Sequence, residues 1–231
     1  MAFHRDIIRA AAPLVKAFHR LEVVGRDNVP PQGQGFLLAP NHTHWFGWDG
    51  FVLNTALADR PIRWIAWSYG DEFPLWDKLC AAFDAILVSK SKPFPYDEIT
   101  DYIKSGGAAG IFPEGNNNSI ATPYRIRRFF PGVARLAALS GAPVVPVSVA
   151  GIEEAGPILW IKEEEGQPPT WLLPAPVLLP VKVTVRFGAP MRLNLSETDI
   201  HNREVLDREA ERVRRRVLAL LRNDRPRATA P

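Results

Sequence analysis

Two histidines and an aspartate lie close together in a stretch that could carry acid–base chemistry. They are His42, His44 and Asp49, and they follow directly after the apolar residues 36–39. An imidazole can accept a proton near neutral pH, and a neighbouring carboxylate orients its ring and stabilises the imidazolium. Six residues separate His42 from Asp49, and four separate His44 from Asp49. Both pairs are therefore candidates for a general base, while a histidine that only caps the end of a strand is the simpler alternative.

A second candidate segment is the run Phe112-Pro113-Glu114-Gly115, which also follows an apolar stretch. A strand that ends here would deliver Glu114 to its tip, and Gly115 would permit a tight turn with exposed amides. A carboxylate in this position could hold an acceptor hydroxyl, a catalytic histidine or a basic group. Taken alone, the segment is equally compatible with a charged turn that has no catalytic role.

Other common chemistries lack the residues that they need. Cys80 is the only cysteine, so an intrachain disulfide is impossible. The sequence contains neither a His-Glu-x-x-His pattern nor paired cysteines, and we predict no metal site. A Gly-x-Ser-x-Gly motif is also missing, which argues against a serine hydrolase. The net charge of +3 is too small to indicate a nucleic-acid partner.

Short apolar runs alternate with helical patterns along the chain. The apolar runs predict strands at residues 21–24, 36–39, 63–66, 85–88, 108–112, 144–149 and 181–187. The helical patterns lie at residues 50–57, 96–104, 132–139 and 199–221. This alternation predicts an α/β fold with a single domain, in which helices flank a central, largely parallel sheet. Ligands of such sheets gather where strands end, and the histidine segment lies at one such end.

An amphipathic helix is predicted to precede this domain, at residues 1–20. Its apolar residues recur every three or four positions, and most of the residues between them are basic. Such a helix either covers the domain core or lies in a lipid interface. No run reaches the roughly 18 apolar residues of a membrane span, and the N-terminus lacks the pattern of a secretory signal. Residues 225–231, rich in Pro, Ala and Arg, predict a disordered tail.

Four blocks in a fixed order resemble the glycerolipid acyltransferase family, the lysophosphatidic acid (1-acylglycerol-3-phosphate) acyltransferases. The blocks are Asn41-His42-Thr43-His44 with Asp49, Phe112-Pro113-Glu114-Gly115, Phe130-Pro131-Gly132 and Val145-Pro146-Val147. The resemblance covers residues 21–151 and implies an acyltransferase domain at residues 21–224. It implies direct transfer of a fatty acyl group from acyl-CoA or acyl-carrier protein to a lysophospholipid hydroxyl, as in the conversion of lysophosphatidic acid to phosphatidic acid. No cofactor beyond the acyl donor is implied.

The resemblance also implies roles for individual residues. His44 has the family's spacing to Asp49, whereas His42 has the family's preceding asparagine; because the carboxylate must reach the imidazole, we favour His44 over His42 as the base. Glu114 would position the acceptor, and backbone amides near Gly115 would stabilise the oxyanion.

Two basic residues of the family pattern are replaced in this sequence. Lys90 stands where the family has a phosphate-binding arginine, and it lacks the bidentate fork of that side chain. Asn116 and Asn117 replace the Thr-Arg pair that usually follows the glutamate segment. Arg125, Arg127 or Arg128 could supply the missing cation.

These departures keep three alternatives open. The same fold could acylate a non-phosphorylated alcohol or an amine. The same histidine and aspartate could activate water, which would make the protein an acyl-thioester hydrolase. A lipid-binding protein without catalytic activity is the third alternative. For the acyltransferase, the amphiphilic acceptor predicts a role in phospholipid biosynthesis and a peripheral position at the cytoplasmic membrane face.

Overall fold

The computed structural model describes residues 3–43, 47–115, 123–162, 171–175 and 177–228, and strands alternate with helices along the chain. The strands are β1 (Glu22–Val24), β2 (Phe36–Pro40), β3 (Ile62–Trp67), β4 (Ile86–Val88), β5 (Ala108–Gly110), β6 (Val144–Ala150), β7 (Ile158–Lys162), β8 (Trp171–Pro174) and β9 (Thr184–Phe187). The helices are α1 (Phe3–Phe18), α2 (Trp48–Ala56), α3 (Pro74–Ala82), α4 (Tyr96–Lys104), α5 (Gly132–Ser140), α6 (Ile152–Ala155) and α7 (Arg203–Asp224).

Seven strands form one sheet in the order β1-β9-β6-β2-β5-β3-β4. The five strands from β6 to β4 are mutually parallel, whereas β9 and β1 run in the opposite direction. β7 and β8 form a separate antiparallel pair. The predicted α/β fold with a largely parallel sheet is therefore confirmed. We call the side of the sheet where β2, β3, β4, β5 and β6 end the carboxyl edge.

The centre of the sheet is buried on both faces, which explains the uninterrupted apolar run of β2. Leu37 and Ala39 pack into the core on one face, while Phe36 and Leu38 pack into the core on the other. All four are fully buried. A parallel strand that is covered on both faces has no solvent side to carry polar residues, so its sequence does not alternate.

The predicted N-terminal helix is present as α1, and one stripe of it covers the domain core. Ile8, Ala12, Val15 and His19 are buried along this stripe, on the side where α1 packs against α2. The spacing of four, three and four residues places them on one helix face. Leu14, by contrast, is 74% exposed. Within the described part of the chain, no helix combines the length and the hydropathy that crossing a bilayer requires.

Pro146 lies inside β6, although proline is unfavourable in the middle of a strand. Its carbonyl oxygen accepts a hydrogen bond from the amide of Gly188, which follows the last residue of β9. In a strand, the N and O atoms of one residue point to the same side, so the nitrogen of Pro146, which has no hydrogen, also faces β9. This nitrogen lies just beyond the end of the β6–β9 ladder, where Val147 pairs with Phe187. The sheet therefore loses little by having proline there.

Some elements differ from the sequence prediction. α3 and the β7–β8 pair were not predicted, and α7 begins at Arg203 because residues 197–201 form a separate turn of 3₁₀-helix. In residues 225–228, Arg225 forms an ion pair with Glu154, and Ala228 is buried in the core. The disorder of the tail stays a prediction. Residues 229–231 lie outside the described residues.

Candidate active site

The two candidate segments meet at the carboxyl edge of the sheet. His42 follows β2 and Glu114 follows β5, and these strands are parallel neighbours. The backbone amide of His42 donates a hydrogen bond to Oε1 of Glu114 over 2.8 Å. Neighbouring parallel strands deliver their last residues to the same place, so the proximity follows directly from the topology.

His42 and Asp49 form a close pair at this position. Nδ1 of His42 lies 2.7 Å from Oδ2 of Asp49, and the aspartate side chain is fully buried. The same oxygen accepts the amide of Thr43, while Oδ1 accepts the amide of Gly50. Asp49 also lies in the first turn of α2, where the helix dipole stabilises negative charge. The arrangement fixes the ring and directs its second nitrogen, Nε2, away from the carboxylate.

The side chains of His42 and Asp49 are in hydrogen-bond contact, so a separation of six residues is no obstacle to this pair. The preference for His44 as the base stays a prediction. Gly47, with φ of 67°, turns the chain immediately before α2 begins. His44 itself lies outside the described residues.

Asn41 anchors the turn that carries His42. Its side-chain amide donates to the carbonyl of Val149 over 3.0 Å and accepts the amide of Val149 over 2.8 Å. Asn41 therefore continues the pairing of β2 with β6 by one residue, using its side chain where the backbone leaves the sheet. Asn41 is buried, so the bonds are shielded from competing water.

A stack of three rings supports the imidazole from one side. The ring centroids of His42 and Phe112 are 4.2 Å apart with an interplanar angle of 25°. Phe112 stacks in turn on Trp64, with centroids 4.7 Å apart and an angle of 12°. With Asp49 holding Nδ1 and Phe112 covering one face, the ring has little rotational freedom. No motif in the sequence indicated that Trp64, from β3, would support the imidazole.

Glu114 is buried and connects two loops through their backbones. Its Oε1 accepts the amide of His42 and its Oε2 accepts the amide of Arg127, over 2.8 and 2.6 Å. Burial raises the pKa of the Glu114 carboxyl to about 8, although the two amide hydrogen bonds favour its ionised form. With 2% of its surface exposed, Glu114 holds the His42 turn in place. The acceptor-positioning role that the resemblance implied for Glu114 stays a prediction.

Gly115 makes the turn that was predicted for it, with φ of 63°. Its amide donates to the carbonyl of Phe112, so this N–H is not free to stabilise an oxyanion. A Cβ atom at this position would lie 2.9 Å from the ring of Phe130, which explains why the residue has no side chain. Asn116, together with residues 117–122, lies outside the described residues.

The predicted cationic residues lie at the same edge of the sheet but are spread along it. Lys90 is exposed two residues beyond β4, which is three strands away from β2. Three interstrand spacings amount to roughly 14 Å. Arg125 lies two residues before Arg127, whose amide binds Glu114, and is half-buried. Arg128 forms an ion pair with Asp207 on α7.

His19 is a further residue near the site that the sequence did not single out. It is fully buried at the end of α1, and its Nε2 accepts the indole N–H of Trp48 over 2.8 Å. Its Nδ1 lies 3.2 Å from the carbonyl oxygen of Val181, to which an N–H at this position donates. Trp48 precedes Asp49 in α2, so the contact links α1 to the first turn of α2, which carries this carboxylate. Its only sequence signal is its place in the buried stripe of α1.

Curated relatives of this chain are found in mycobacteria. An uncharacterized protein of Mycobacterium tuberculosis is 28% identical over 197 residues, covering 76% of this chain and 53% of the relative. An uncharacterized protein of Mycobacterium leprae gives 28% identity, with 76% and 52% covered. The chain thus spans about half the length of the curated relatives it matches.

A solved structure shares the fold. The crystal structure of the 1-acyl-sn-glycerophosphate acyltransferase PlsC from Thermotoga maritima aligns with a TM-score of 0.60 and 19% identity, covering 95% of this chain and 81% of that chain. The Acyltransferase family model matches residues 20–150, a range that contains the His42–Asp49 pair and Glu114. This protein therefore belongs to the Acyltransferase family.

Proposed function

We propose that this protein transfers a fatty acyl group from acyl-CoA or acyl-carrier protein to the hydroxyl of a lysophospholipid, with His42 as the general base. The observation that carries the proposal is the 2.7 Å contact between Nδ1 of His42 and Asp49 at the carboxyl edge. The His42 side chain is 19% exposed, so its ring can be reached by an acceptor while the carboxylate stays buried.

The chemistry follows from this orientation. The acceptor O–H gives its proton to Nε2 of His42 as the oxygen attacks the thioester carbonyl, and Asp49 stabilises the imidazolium that forms. Collapse of the tetrahedral intermediate breaks the carbon–sulfur bond. The departing sulfur takes the proton from the imidazolium, which returns His42 to its starting state. Glu114, Asn41 and Phe112 act as positioning residues for the imidazole.

The acceptor class is supported by family membership and by cations at the carboxyl edge. Lysophosphatidic acid carries a phosphate, which Lys90 could bind as a point charge. The family's second cation is replaced by Asn116 and Asn117, which leaves a non-phosphorylated acceptor as the variant of this proposal.

The test is turnover of acyl-CoA with lysophosphatidic acid or monoacylglycerol as acceptor, followed by thiol release and mass spectrometry of the lipid product. We expect His42→Ala and Asp49→Asn to lower kcat by about 10²–10⁴. The matched control is His201→Ala, since His201 is exposed in the 3₁₀ turn before α7 and should keep full activity.

Three results would contradict parts of the proposal. Loss of activity in His44→Ala with none in His42→Ala would move the base to His44. Preference for monoacylglycerol would favour the non-phosphorylated acceptor. Release of free fatty acid at the same rate without any acceptor would identify a thioester hydrolase.

A further inference from the structure

The segment that contacts Glu114 after β5 is itself held by the last helix and by the residue that follows it. We call residues 123–129 the anchor segment. Arg127 belongs to this segment, and its amide donates to Oε2 of Glu114 over 2.6 Å. The other oxygen of Glu114 accepts the amide of His42 over 2.8 Å. A displacement of the anchor segment would therefore reach the His42 turn through a single carboxylate.

Tyr124 lies near the start of the anchor segment in a strained backbone conformation. Its φ is 54°, in the left-handed region that bulky residues rarely occupy, and only 9% of its surface is exposed. Its amide donates to Oε2 of Glu153 over 2.7 Å. Its hydroxyl accepts the amide of Gly151 over 3.0 Å and donates to Oε2 of Glu154. Such a conformation persists only where surrounding contacts impose it, and these contacts come from the residues that follow β6.

Arg225, the first residue after α7, completes this arrangement. Its Nη2 lies 3.2 Å from Oε1 of Glu154, and its guanidinium carbon lies 4.9 Å from the centre of the Tyr124 ring. A guanidinium over an aromatic ring is attracted by the ring electrons. Arg225 is held in turn by its own backbone, which bonds to the carbonyl of Leu221 and to the amide of the buried Ala228. Arg225 thus contacts both Tyr124 and the carboxylate that binds the Tyr124 hydroxyl.

α7 makes two further contacts with the anchor segment. Nη1 of Arg214 donates to the carbonyl of Ile126 over 3.2 Å, and Asp207 forms an ion pair with Arg128. The Arg214 side chain is only 12% exposed, so its contact is partly shielded from water. α7 therefore holds the residues on both sides of Arg127.

We propose that Arg225 positions His42 from a distance: through Tyr124 it fixes the anchor segment, and through Glu114 it fixes the turn that carries the imidazole. The inference rests on the proposed function for the reaction that His42 serves, whereas the contacts themselves require no turnover. Arg225 is a positioning residue that acts through other residues and needs no contact with a substrate. Because a misplacement of about 1 Å can cost a general base much of its rate, such an ion pair can set kcat without changing the affinity for the acyl donor.

The first experiment is NMR spectroscopy of the backbone amides of the full chain, which requires no substrate. In Arg225→Gln, we expect the amide proton signals of Arg127 and His42 to move upfield, because their hydrogen bonds to Glu114 lengthen. The amide of Leu37, which is bonded inside the sheet, should keep its signal. A general loss of stability does not move the signals of the folded protein, so this readout isolates positioning. Arg227→Gln is the matched control, since it removes an exposed cation from the same tail and should leave all three signals unchanged.

The second experiment is acyl transfer under conditions in which every variant is folded. Arg225→Gln should lower kcat by about tenfold and leave KM for acyl-CoA unchanged. Arg225→Lys keeps a cation near Glu154 and should restore most of the rate. Tyr124→Phe keeps the ring but removes the hydroxyl bonds, and it should also lower kcat. In a Glu114→Gln background, Arg225→Gln should have little further effect, because both changes act along one path.

Two results would overturn the inference. Amide signals of Arg127 and His42 that are unchanged in both Arg225→Gln and Tyr124→Phe would show that neither residue fixes the His42 turn. A loss of rate in Arg225→Gln that adds in full to that of Glu114→Gln would show that Arg225 does not act through this carboxylate. Moved amide signals, together with a wild type that transfers no acyl group, would support the positioning of His42 and contradict the proposed function alone.

Discussion

At the scale of single residues, four residues hold His42 in one orientation. Asp49 binds its Nδ1, Phe112 covers its ring, and Glu114 accepts its backbone amide. Asn41 fixes the preceding peptide to β6. Each of these contacts restricts the movement of His42, and a general base needs such a fixed orientation toward its substrate.

Glu114 gives a prediction at this scale, because its folded pKa of about 8 lies above its ordinary value of 4.5. Between these values the folded protein binds a proton that the unfolded chain does not, so stability falls as pH rises through the window, by up to about 1.4 kcal/mol per pH unit. Glu114→Gln should remove this slope. It should also cost about 1–3 kcal/mol below pH 5, since a glutamine cannot accept both amides.

The measurement is chemical denaturation between pH 4.5 and 8. The control is Glu72→Gln, at an exposed position on the same edge of the sheet, which should leave the curve unchanged. A Glu114→Gln variant with the wild-type slope would show that this carboxyl does not carry the shifted pKa.

At the scale of elements, neighbouring apolar residues of α1 differ sharply in burial. Val15 is 7% exposed in the stripe that packs on α2, whereas its neighbour Leu14 is 74% exposed. Burial of apolar surface is what stabilises the helix against the domain, so adjacent positions should differ sharply in their contribution.

We therefore expect Val15→Ala to lower the free energy of unfolding by on the order of 2 kcal/mol. Leu14→Ala should change it by no more than about 0.5 kcal/mol, because the side chain makes little buried contact. Urea denaturation of the two variants compares them directly. Equal losses would mean that α1 does not pack on the domain along the stripe described above.

At the scale of the whole molecule, His19 joins three parts that are distant in sequence. It ends α1, binds Trp48 at the start of α2, and contacts the carbonyl of Val181 just before β9. Burial lowers the pKa of His19, while the hydrogen bond to Val181 opposes this shift. Nε2 must keep its lone pair to accept the indole N–H, so the neutral ring is the form that fits.

The sign of the resulting pH effect is opposite to that of Glu114. Below pH 6.5 the unfolded chain takes up a proton that folded His19 resists, so stability falls as pH drops through this window. His19→Gln should reduce this fall in stability below pH 6.5, since glutamine can still accept the hydrogen bond from Trp48 and does not titrate. Trp48→Phe should also reduce this fall in stability, because a protonated Nε2 of His19 then no longer faces the indole N–H. Thermal unfolding from pH 5 to 7.5 measures the fall in stability in the wild type and the two variants. An identical fall in all three proteins would show that His19 does not cause it.

The sequence by itself determined the fold class, the positions of most strands along the chain and the two polar segments. Uninterrupted apolar runs such as residues 36–39 can only be buried, and parallel strands deliver the residues that follow them to one edge. The β7–β8 pair was missed because the prolines around 168–180 resemble a loop. α3 was missed because only Cys80 of this helix is buried, so it has no apolar stripe that faces the core.

Tertiary structure alone showed that His42 contacts Asp49 and what Glu114 holds. The position of His42 depends on the bond between Asn41 and Val149, which lies 108 positions away. Glu114 is satisfied by the amide of Arg127, which no local spacing indicates. Such contacts are made between elements that are separate in the sequence, and hydrogen-bond geometry, unlike burial, cannot be inferred from residue type and spacing.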